Sequence, residues 1–169
     1  KRQMKLNSLH ELLVAELHDL LSAERQLQQI LPKIIQRVSN SRLRESLEAH
    51  LQETHTHEGR LQECFQKLKI PVRPGRSHGM IGLISGWMEV EAAEAQPDVM
   101  DAAIVSSIQR MEHYEIAGYG CAHAFAEVLE EAEVASLLLE TLREEEQCDR
   151  DLTDLAQSVI NAQAEMHSR

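Results

Sequence analysis

The stretch IQRMEHYEIAGY, residues 108–119, decides the fold, because apolar and acidic side chains share one face of it. Ile108 and Met111 follow the spacing of a buried helical face, and Glu112 and Glu115 lie on the same stripe. A carboxylate on a buried face must be balanced by a cation or must hold a proton. The stretch therefore predicts a long core helix that carries part of a buried acidic site.

The composition of the whole chain favours the same helical structure. The 169 residues suit one domain, predicted over 1–169, and only 3% of them are aromatic. Leu, Ala, Glu, Gln and Arg, which favour helices, recur throughout. The formal net charge of -11 disfavours binding to nucleic acid, which depends on clustered basic residues. We expect a single all-α domain.

The helix boundaries follow from capping signals and from chain length. Ser8 opens a capping box, so the first helix should run from Ser8 into the high thirties, with a kink or a frayed end at Pro32. An unbroken helix over 98–165 would be about 100 Å long, so a turn is expected near 130–133 although no Gly or Pro marks it. The predicted fold is an up-down bundle of four long helices plus one short helix at about 78–94.

The first two long helices should form a hairpin that turns at Asn40. Glu24 lies 16 residues before Asn40 and Glu53 lies 13 after it. At 1.5 Å rise per residue, the two acids sit within roughly 5 Å of one level. Glu24 continues a stripe of leucines, and Glu53 belongs with His50 and His57. Glu24 and Glu53 are therefore predicted to face each other.

The last two long helices should repeat this arrangement around a turn near Glu131. Glu112 and Glu115 precede that residue by 19 and 16 positions and Glu145 follows it by 14, so these acids also share roughly one level. Glu144, beside Glu145, is interpreted as a solvated surface acid. The prediction is that five carboxyl groups converge between the four helices: Glu24, Glu53, Glu112, Glu115 and Glu145.

Such a cluster suggests bound metal, shared protons or both. Metal sites in bundles commonly combine two single Glu ligands with two Glu-x-x-His pairs, a rule that this chain meets only in part. His57 follows Glu53 by four residues, and Glu145 is followed by Cys148 and Asp149. Oxygen donors suit iron or manganese, with His57 or His50 as the expected nitrogen donors. The predicted ligands of this di-iron or di-manganese centre, which needs no organic cofactor, are Glu24, Glu53, His57, Glu112, Glu115, Glu145 and Asp149.

The cysteines indicate a reducing compartment. Cys64, Cys121 and Cys148 show no paired spacing, and each lies in a helical pattern where a free thiol packs as a small hydrophobe. We therefore expect a cytoplasmic protein. No apolar run suits a signal peptide or reaches the ~20 residues of a membrane span, so no membrane partner is expected. No Ser/His/Asp or Cys/His set has a spacing that indicates nucleophilic catalysis.

Four blocks of residues together form a distinctive pattern. They are Asp19 with Ser22-Ala23-Glu24, His50-Leu51-Gln52-Glu53-Thr54 with Arg60-Leu61, Glu112-His113-Tyr114-Glu115-Ile116-Ala117 with Tyr119, and Thr141-Leu142 with Glu144-Glu145 and Asp149. Through these blocks, nearly the whole sequence resembles the YciE/YciF family of ferritin-like bacterial proteins. The resemblance implies a five-helix ferritin-like protomer, commonly a homodimer, associated with stress responses and without an established reaction. The turn near Glu131 departs from the family pattern, which usually has glycine there.

A second resemblance concerns the ligands. Glu112 and Glu115 resemble the Glu-x-x-Glu pair in the third core helix of rubrerythrin-like di-iron proteins, which implies ligand roles for Glu24, Glu53 and Glu145. The first hypothesis is thus a dinuclear iron or manganese centre that handles peroxide or oxygen, or stores iron. The alternative is a structural or interaction protein of the stress response with an unfilled cluster, which the weak histidine ligation favours. The expected partners are metal ions and a second copy of the chain, which could pack on the apolar short helix around Leu83, Ile84, Trp87 and Met88.

Overall fold

Six α-helices and one π-helical turn make up most of residues 6–166, the part of the chain that the computed structural model describes. No strand occurs within this part, so the predicted all-α, ferritin-like bundle of four long helices and one short helix is confirmed. The exact limits of the predicted domain stay a prediction, because 1–5 and 167–169 lie outside the described residues. The elements are α1 (Leu9–Arg37), α2 (Ser41–Lys67), α3 (His78–Glu91), α4 (Pro97–Val128), α5 (Ala132–Leu155), the π-helical turn (Ala156–Ile160) and α6 (Asn161–Glu165).

Polar caps define the start of the first two helices, as the sequence predicts. The Ser8 side chain accepts a hydrogen bond from the Glu11 amide at 3.1 Å. The Asn40 side chain accepts from the amides of Arg42 and Leu43 at 3.0 and 3.1 Å. Each cap satisfies amide donors that have no partner inside the helix. The two caps thereby fix where the first hairpin begins and where it turns.

Two features at the ends of the long helices differ in how well the sequence predicts them. α1 continues through Pro32 to Arg37, so the chain does not fray at the proline. The turn between α4 and α5 lies where helix length alone predicts it, with Glu130 in the left-handed region at φ 59°. This region favours glycine, so a glutamate there is unusual. The Glu131 amide closes the turn on the Ala126 carbonyl at 2.9 Å.

The interior consists of two apolar regions with polar side chains between them. One region surrounds Leu17, Phe65 and Leu138, near the turn between α4 and α5. The other surrounds Leu47, Ile104 and Leu152, towards the opposite end of the bundle, and takes in Trp87 of α3. Burial of these apolar side chains is the main favourable contribution to folding. The polar layer between the regions lies at mid-height and contains the candidate site.

α3 is held against the bundle by hydrogen bonds at its first residues. The Tyr114 hydroxyl donates to Asp19 Oδ2 at 2.5 Å, and the Ser77 hydroxyl donates to the same oxygen at 3.0 Å. Gly79 packs directly on the Tyr114 ring, since a Cβ built there would lie 2.3 Å from a ring carbon. Close packing explains this glycine, which the sequence shows only as a weakness in the helix pattern.

Among the described residues, no helix is both long and apolar enough to cross a membrane.

Asp101, in the first turns of α4, binds the turn between α1 and α2. Its two oxygens accept from the backbone amides of Ser39 and Asn40, both at 2.9 Å, and from the Ser39 hydroxyl at 2.5 Å. The Asp101 side chain is buried, so these bonds are shielded from water. They bring the start of α2 and the start of α4 to the same end of the bundle.

Candidate metal centre

Six ionisable side chains from four helices meet in the polar layer. Each is at most 1% exposed to solvent. The apolar stripes that bury the helices also carry these groups, because each lies in phase with the leucines and isoleucines of its own helix. They are Glu24 from α1, His50 and His57 from α2, Glu112 and Glu115 from α4, and Glu145 from α5.

His57 is the centre of one half of the cluster. Its Nδ1 atom lies 2.9 Å from Glu145 Oε1 and 3.4 Å from Glu24 Oε1. Its Nε2 atom lies 2.9 Å from Glu144 Oε2, on the side away from the cluster. The Tyr119 hydroxyl donates to Glu24 Oε1 at 2.5 Å. The Nδ1 atom of His57 therefore faces the buried acids, while its Nε2 atom is hydrogen-bonded to Glu144.

His50 occupies the other half, where its Nε2 atom lies 2.8 Å from Glu112 Oε1. Three sets of possible ligand atoms in the described residues lie within 4.8 Å of one another. Glu145 belongs to two of the sets and Glu112 also belongs to two, so the sets form one connected cluster. The sets are Glu24, His57 and Glu145; Glu112, Glu115 and Glu145; and His50, Glu112 and Cys148.

Most of the polar atoms in this layer lack a hydrogen-bond partner, although they lie close together. Both oxygens of Glu112, of Glu115 and of Glu145 are without one, as are both ring nitrogens of His50. His57 Nδ1 is unpartnered too, in spite of its 2.9 Å distance from Glu145, because the pair lacks hydrogen-bond geometry. Buried polar atoms are almost always satisfied, and lone pairs that converge in this way fit cations held between them.

The carboxyl groups divide into two electrostatic classes. Burial is the main cause that raises the pKa of Glu24, and it raises the pKa values of Glu112 and Glu115 well above the ordinary range with help from neighbouring acids. For Glu145, burial acts in the same direction but is outweighed by His57 and His50, which lower its pKa to about 2. Glu145 therefore favours the ionised form, whereas burial favours the protonated forms of Glu112 and Glu115.

The pKa values of both imidazoles are raised in this environment. Burial lowers the pKa of His57, but Glu145 and Glu24 outweigh it and raise the pKa to about 10. Burial likewise opposes the charged form of His50, and its neighbours, chiefly Cys148 and Glu53, raise its pKa well above the usual value. Protons can thus balance part of the negative charge of the cluster when no metal is bound. Metal ions that bind here must displace those protons.

Glu144 and Arg60 form an outer support for His57. Arg60 donates to both Glu144 oxygens, at 2.5 and 2.9 Å, and to Glu140 at 2.7 Å. Arg60 also lowers the pKa of Glu144, which keeps that acid ionised. The interpretation of Glu144 as a solvated acid is wrong, because its side chain is only 33% exposed and contacts a buried ring. A carboxylate in this position fixes the orientation of an imidazole.

Two predicted residues do not join the buried cluster. The Glu53 side chain is 46% exposed, and its nearest approach is 3.8 Å from His50 Nδ1. The predicted convergence of five carboxylates is therefore wrong for Glu53 and correct for the other four. The reason is helical phase: the inward face of α2 is centred on His50, Thr54 and His57, which are buried, and Glu53 lies at its margin.

Asp149 lies on the seam between α4 and α5. It accepts from Gln109 Nε2 at 3.0 Å and lies 3.4 Å from His113 Nδ1, which is exposed. Cys148, one residue earlier, points into the cluster instead, since successive residues of a helix are about 100° apart. The sequence pattern predicts only a packing role for Cys148. That any of the seven predicted residues binds metal stays a prediction.

The fold and the site define a ferritin-like protein, a helical bundle with acids and imidazoles buried at mid-height. The family described as Domain of unknown function (DUF892) matches residues 8–165, and the chain belongs to this family. It is 36% identical to Protein YciF of Escherichia coli (strain K12) over 163 residues, which cover 96% of this chain and 98% of that protein. The resemblance to the YciE/YciF family is thereby confirmed.

Solved structures agree with this assignment. The crystal structure of the E. coli stress protein YciF is similar to this chain with a TM-score of 0.88, over 92% of this chain and 99% of that one. YcfI from Rhodopseudomonas palustris is 35% identical and gives a TM-score of 0.86, over 90% of this chain and 96% of that one. The bundle and its element order are therefore those of the YciF-like stress proteins.

Proposed function

We propose that this chain binds two iron or manganese ions in the buried polar layer and uses them to handle peroxide or oxygen, or to hold iron, during stress. The observation that carries the proposal is the convergence of unpartnered carboxylate and imidazole atoms from four helices. Without cations, burial of four carboxyl groups would be unfavourable. Oxygen-rich donor sets suit iron and manganese.

The chain's own residues divide the work of such a centre. Glu24, His57 and Glu145 would hold one ion, His50 and Glu112 the other, and Glu115 lies in the set that joins the two halves. When bound, a pair of redox-active ions supplies electrons to, or takes them from, peroxide or oxygen. Tyr119 orients Glu24 through its hydroxyl, and Glu144 orients His57. The apolar regions above and below the layer keep bulk water away.

Metal content is the first test. Protein purified without chelator should contain iron or manganese by elemental analysis, and should accelerate the loss of peroxide or the oxidation of ferrous iron. Glu112→Gln should lower the metal content and the rate together, because Glu112 belongs to two of the three donor sets. Glu127→Gln is the matched control, since Glu127 lies on the same helix with a 64% exposed side chain. Wild-type protein that takes up neither ion would contradict the proposal.

The second candidate is a structural role in which protons, not metal, balance the cluster. The pairing of His57 with Glu145 and the raised pKa values of Glu112 and Glu115 support it, because both reduce the negative charge of the layer when no metal is bound. Melting curves with and without chelator distinguish the two. Chelator should lower the melting temperature of a metal protein and leave that of a structural protein unchanged.

We also propose that the chain acts in the cytoplasm as a homodimer, with neither nucleic acid nor membrane as a partner. Its net charge of -11 supports the exclusion of nucleic acid. On α3, Trp87 is buried in the chain's own bundle and Met88 is 59% exposed, so the apolar surface there is smaller than the sequence indicates. Sedimentation at micromolar concentration tests the dimer, and a monomer under these conditions would contradict it.

A further inference from the structure

Cys148 has surroundings that distinguish it from the other cysteines. It is a free thiol, 8% exposed, and its Sγ atom belongs to the donor set with His50 and Glu112 in which all ligand atoms lie within 4.8 Å. His50 is 1% exposed and Glu112 is fully buried. Both ring nitrogens of His50 and both oxygens of Glu112 lack hydrogen-bond partners. Three side chains from three helices thus bring possible ligand atoms within 4.8 Å of one another.

The two halves of the cluster therefore differ in chemical character. The set of Glu24, His57 and Glu145 offers two oxygens and a nitrogen, whereas the set with Cys148 offers a sulfur, a nitrogen and an oxygen. Carboxylates suit manganese and other hard ions, while thiolates suit softer ones such as zinc. Sulfur bound to a metal also donates more electron density than oxygen does. The difference in donors predicts two positions with different metal preferences.

We infer that Cys148 Sγ is a metal ligand, together with His50 and Glu112, so that the centre has one sulfur-containing position and one without sulfur. This inference rests on the proposed metal function and deepens it. On binding a divalent ion, the S–H bond breaks, the proton passes to solvent, and a metal–sulfur bond forms with no change in oxidation state. The sulfur-containing position accepts zinc, cobalt or ferrous iron in preference to manganese.

Cobalt(II) reports on the ligand directly, because a cobalt–thiolate bond absorbs strongly in the near ultraviolet while weaker visible bands report any bound cobalt. Metal-free full-length protein is titrated with cobalt(II) chloride under nitrogen. The expected result is both kinds of absorption in wild type. Cys148→Ser should lose the near-ultraviolet band and keep visible bands from the position that contains Glu24, His57 and Glu145. In the zinc-loaded protein, X-ray absorption should show a sulfur neighbour at about 2.3 Å.

The other two cysteines supply matched controls. Cys64→Ala removes a thiol that is also buried but lies in the other apolar region, and Cys121→Ser removes an exposed one. Both should keep the near-ultraviolet band. Cys148→Ala is the second variant if the serine fails to fold, and circular dichroism checks each fold.

The outcomes separate this inference from the proposed function. Wild-type protein that shows the visible cobalt bands without the thiolate band overturns the role of Cys148 and leaves the metal site standing. A thiolate band that is lost in Cys64→Ala or Cys121→Ser assigns the sulfur to another residue and also overturns the inference. Wild-type protein that binds no cobalt, iron, manganese or zinc contradicts both.

Discussion

The two hairpins of the bundle contribute different chemistry to the same layer. The α1–α2 hairpin supplies one acid and two imidazoles, whereas the α4–α5 hairpin supplies three acids and a thiol. Sequence counting predicts that the hairpins repeat one arrangement, which is wrong at the level of side chains. The structure shows complementary charge instead, with cationic His57 opposite ionised Glu145. Each hairpin therefore stabilises the charges of the other, and neither would bury them alone.

The largest expected effect comes from removal of the ionised acid of the second hairpin. Glu145→Gln leaves the cationic His57 of the first hairpin without the buried acid that lies closest to it, at 2.9 Å. Breaking a buried pair from one side costs about 3 kcal/mol or more, so the free energy of unfolding in chelator should fall by about that amount. Urea unfolding measures it. Glu146→Gln, at a neighbouring position with a 44% exposed side chain, is the control and should change little.

The charge of His57 on the first hairpin should make the stability of the metal-free protein depend on pH. The pKa of His57 is raised to about 10 in the folded state, by the buried acids Glu24 and Glu145 and with Glu144 on its outer side. A raised pKa stabilises the fold below the unfolded value of about 6.5, and this contribution is lost as pH rises through about 10. The free energy of unfolding should thus decrease as pH rises from about 6.5 to about 10. A free energy of unfolding that does not change over this pH range would contradict the proposal that the two hairpins carry complementary charges.

Glu115 distinguishes the metal role of the second hairpin from its structural role. When no metal is bound, burial raises the pKa of its carboxyl group and so favours the neutral form, which glutamine resembles. Glu115→Gln should therefore change stability in chelator by less than about 1 kcal/mol, the size of one hydrogen bond. With metal present, Glu115→Gln should reduce the stability that bound metal adds to the fold, by about 1.4 kcal/mol for each tenfold loss of metal affinity. Equal losses in both conditions would indicate a structural role alone.

The smallest effect is expected at Glu53, the acid of the first hairpin that lies outside the cluster. Its half-exposed side chain makes no close contact with the buried acids. Glu53→Gln should therefore change the free energy of metal binding and the free energy of unfolding by no more than about 0.5 kcal/mol each. Isothermal titration with manganese checks this, with Glu48→Gln on the same helix as the control. A tenfold weaker affinity in Glu53→Gln would instead show that Glu53 turns inward when metal binds.

The comparison also shows what sequence reasoning can predict. The turns at Asn40 and near Glu131, together with the rise per residue, place Glu24, Glu112, Glu115 and Glu145 at roughly one height, and all four are buried there. Height alone does not place a side chain on the inward face, which is why the count fails for Glu53. The contacts of Cys148 with His50 and of Glu144 with His57 cross between helices. Spacing within one helix cannot predict them, because they depend on how α2 and α5 pack.

Asp101 aligns the two helices that carry His50 and Glu112. Its bonds to Ser39 and Asn40 tie the starts of α2 and α4 together at one end of the bundle. From that point His50 lies about 15 Å along α2 and Glu112 about 16 Å along α4, at 1.5 Å per residue. These hydrogen bonds thus keep α2 and α4 from shifting lengthwise relative to each other. Asp101 contacts no group of the cluster, yet it sets the alignment on which the 2.8 Å approach of His50 to Glu112 depends.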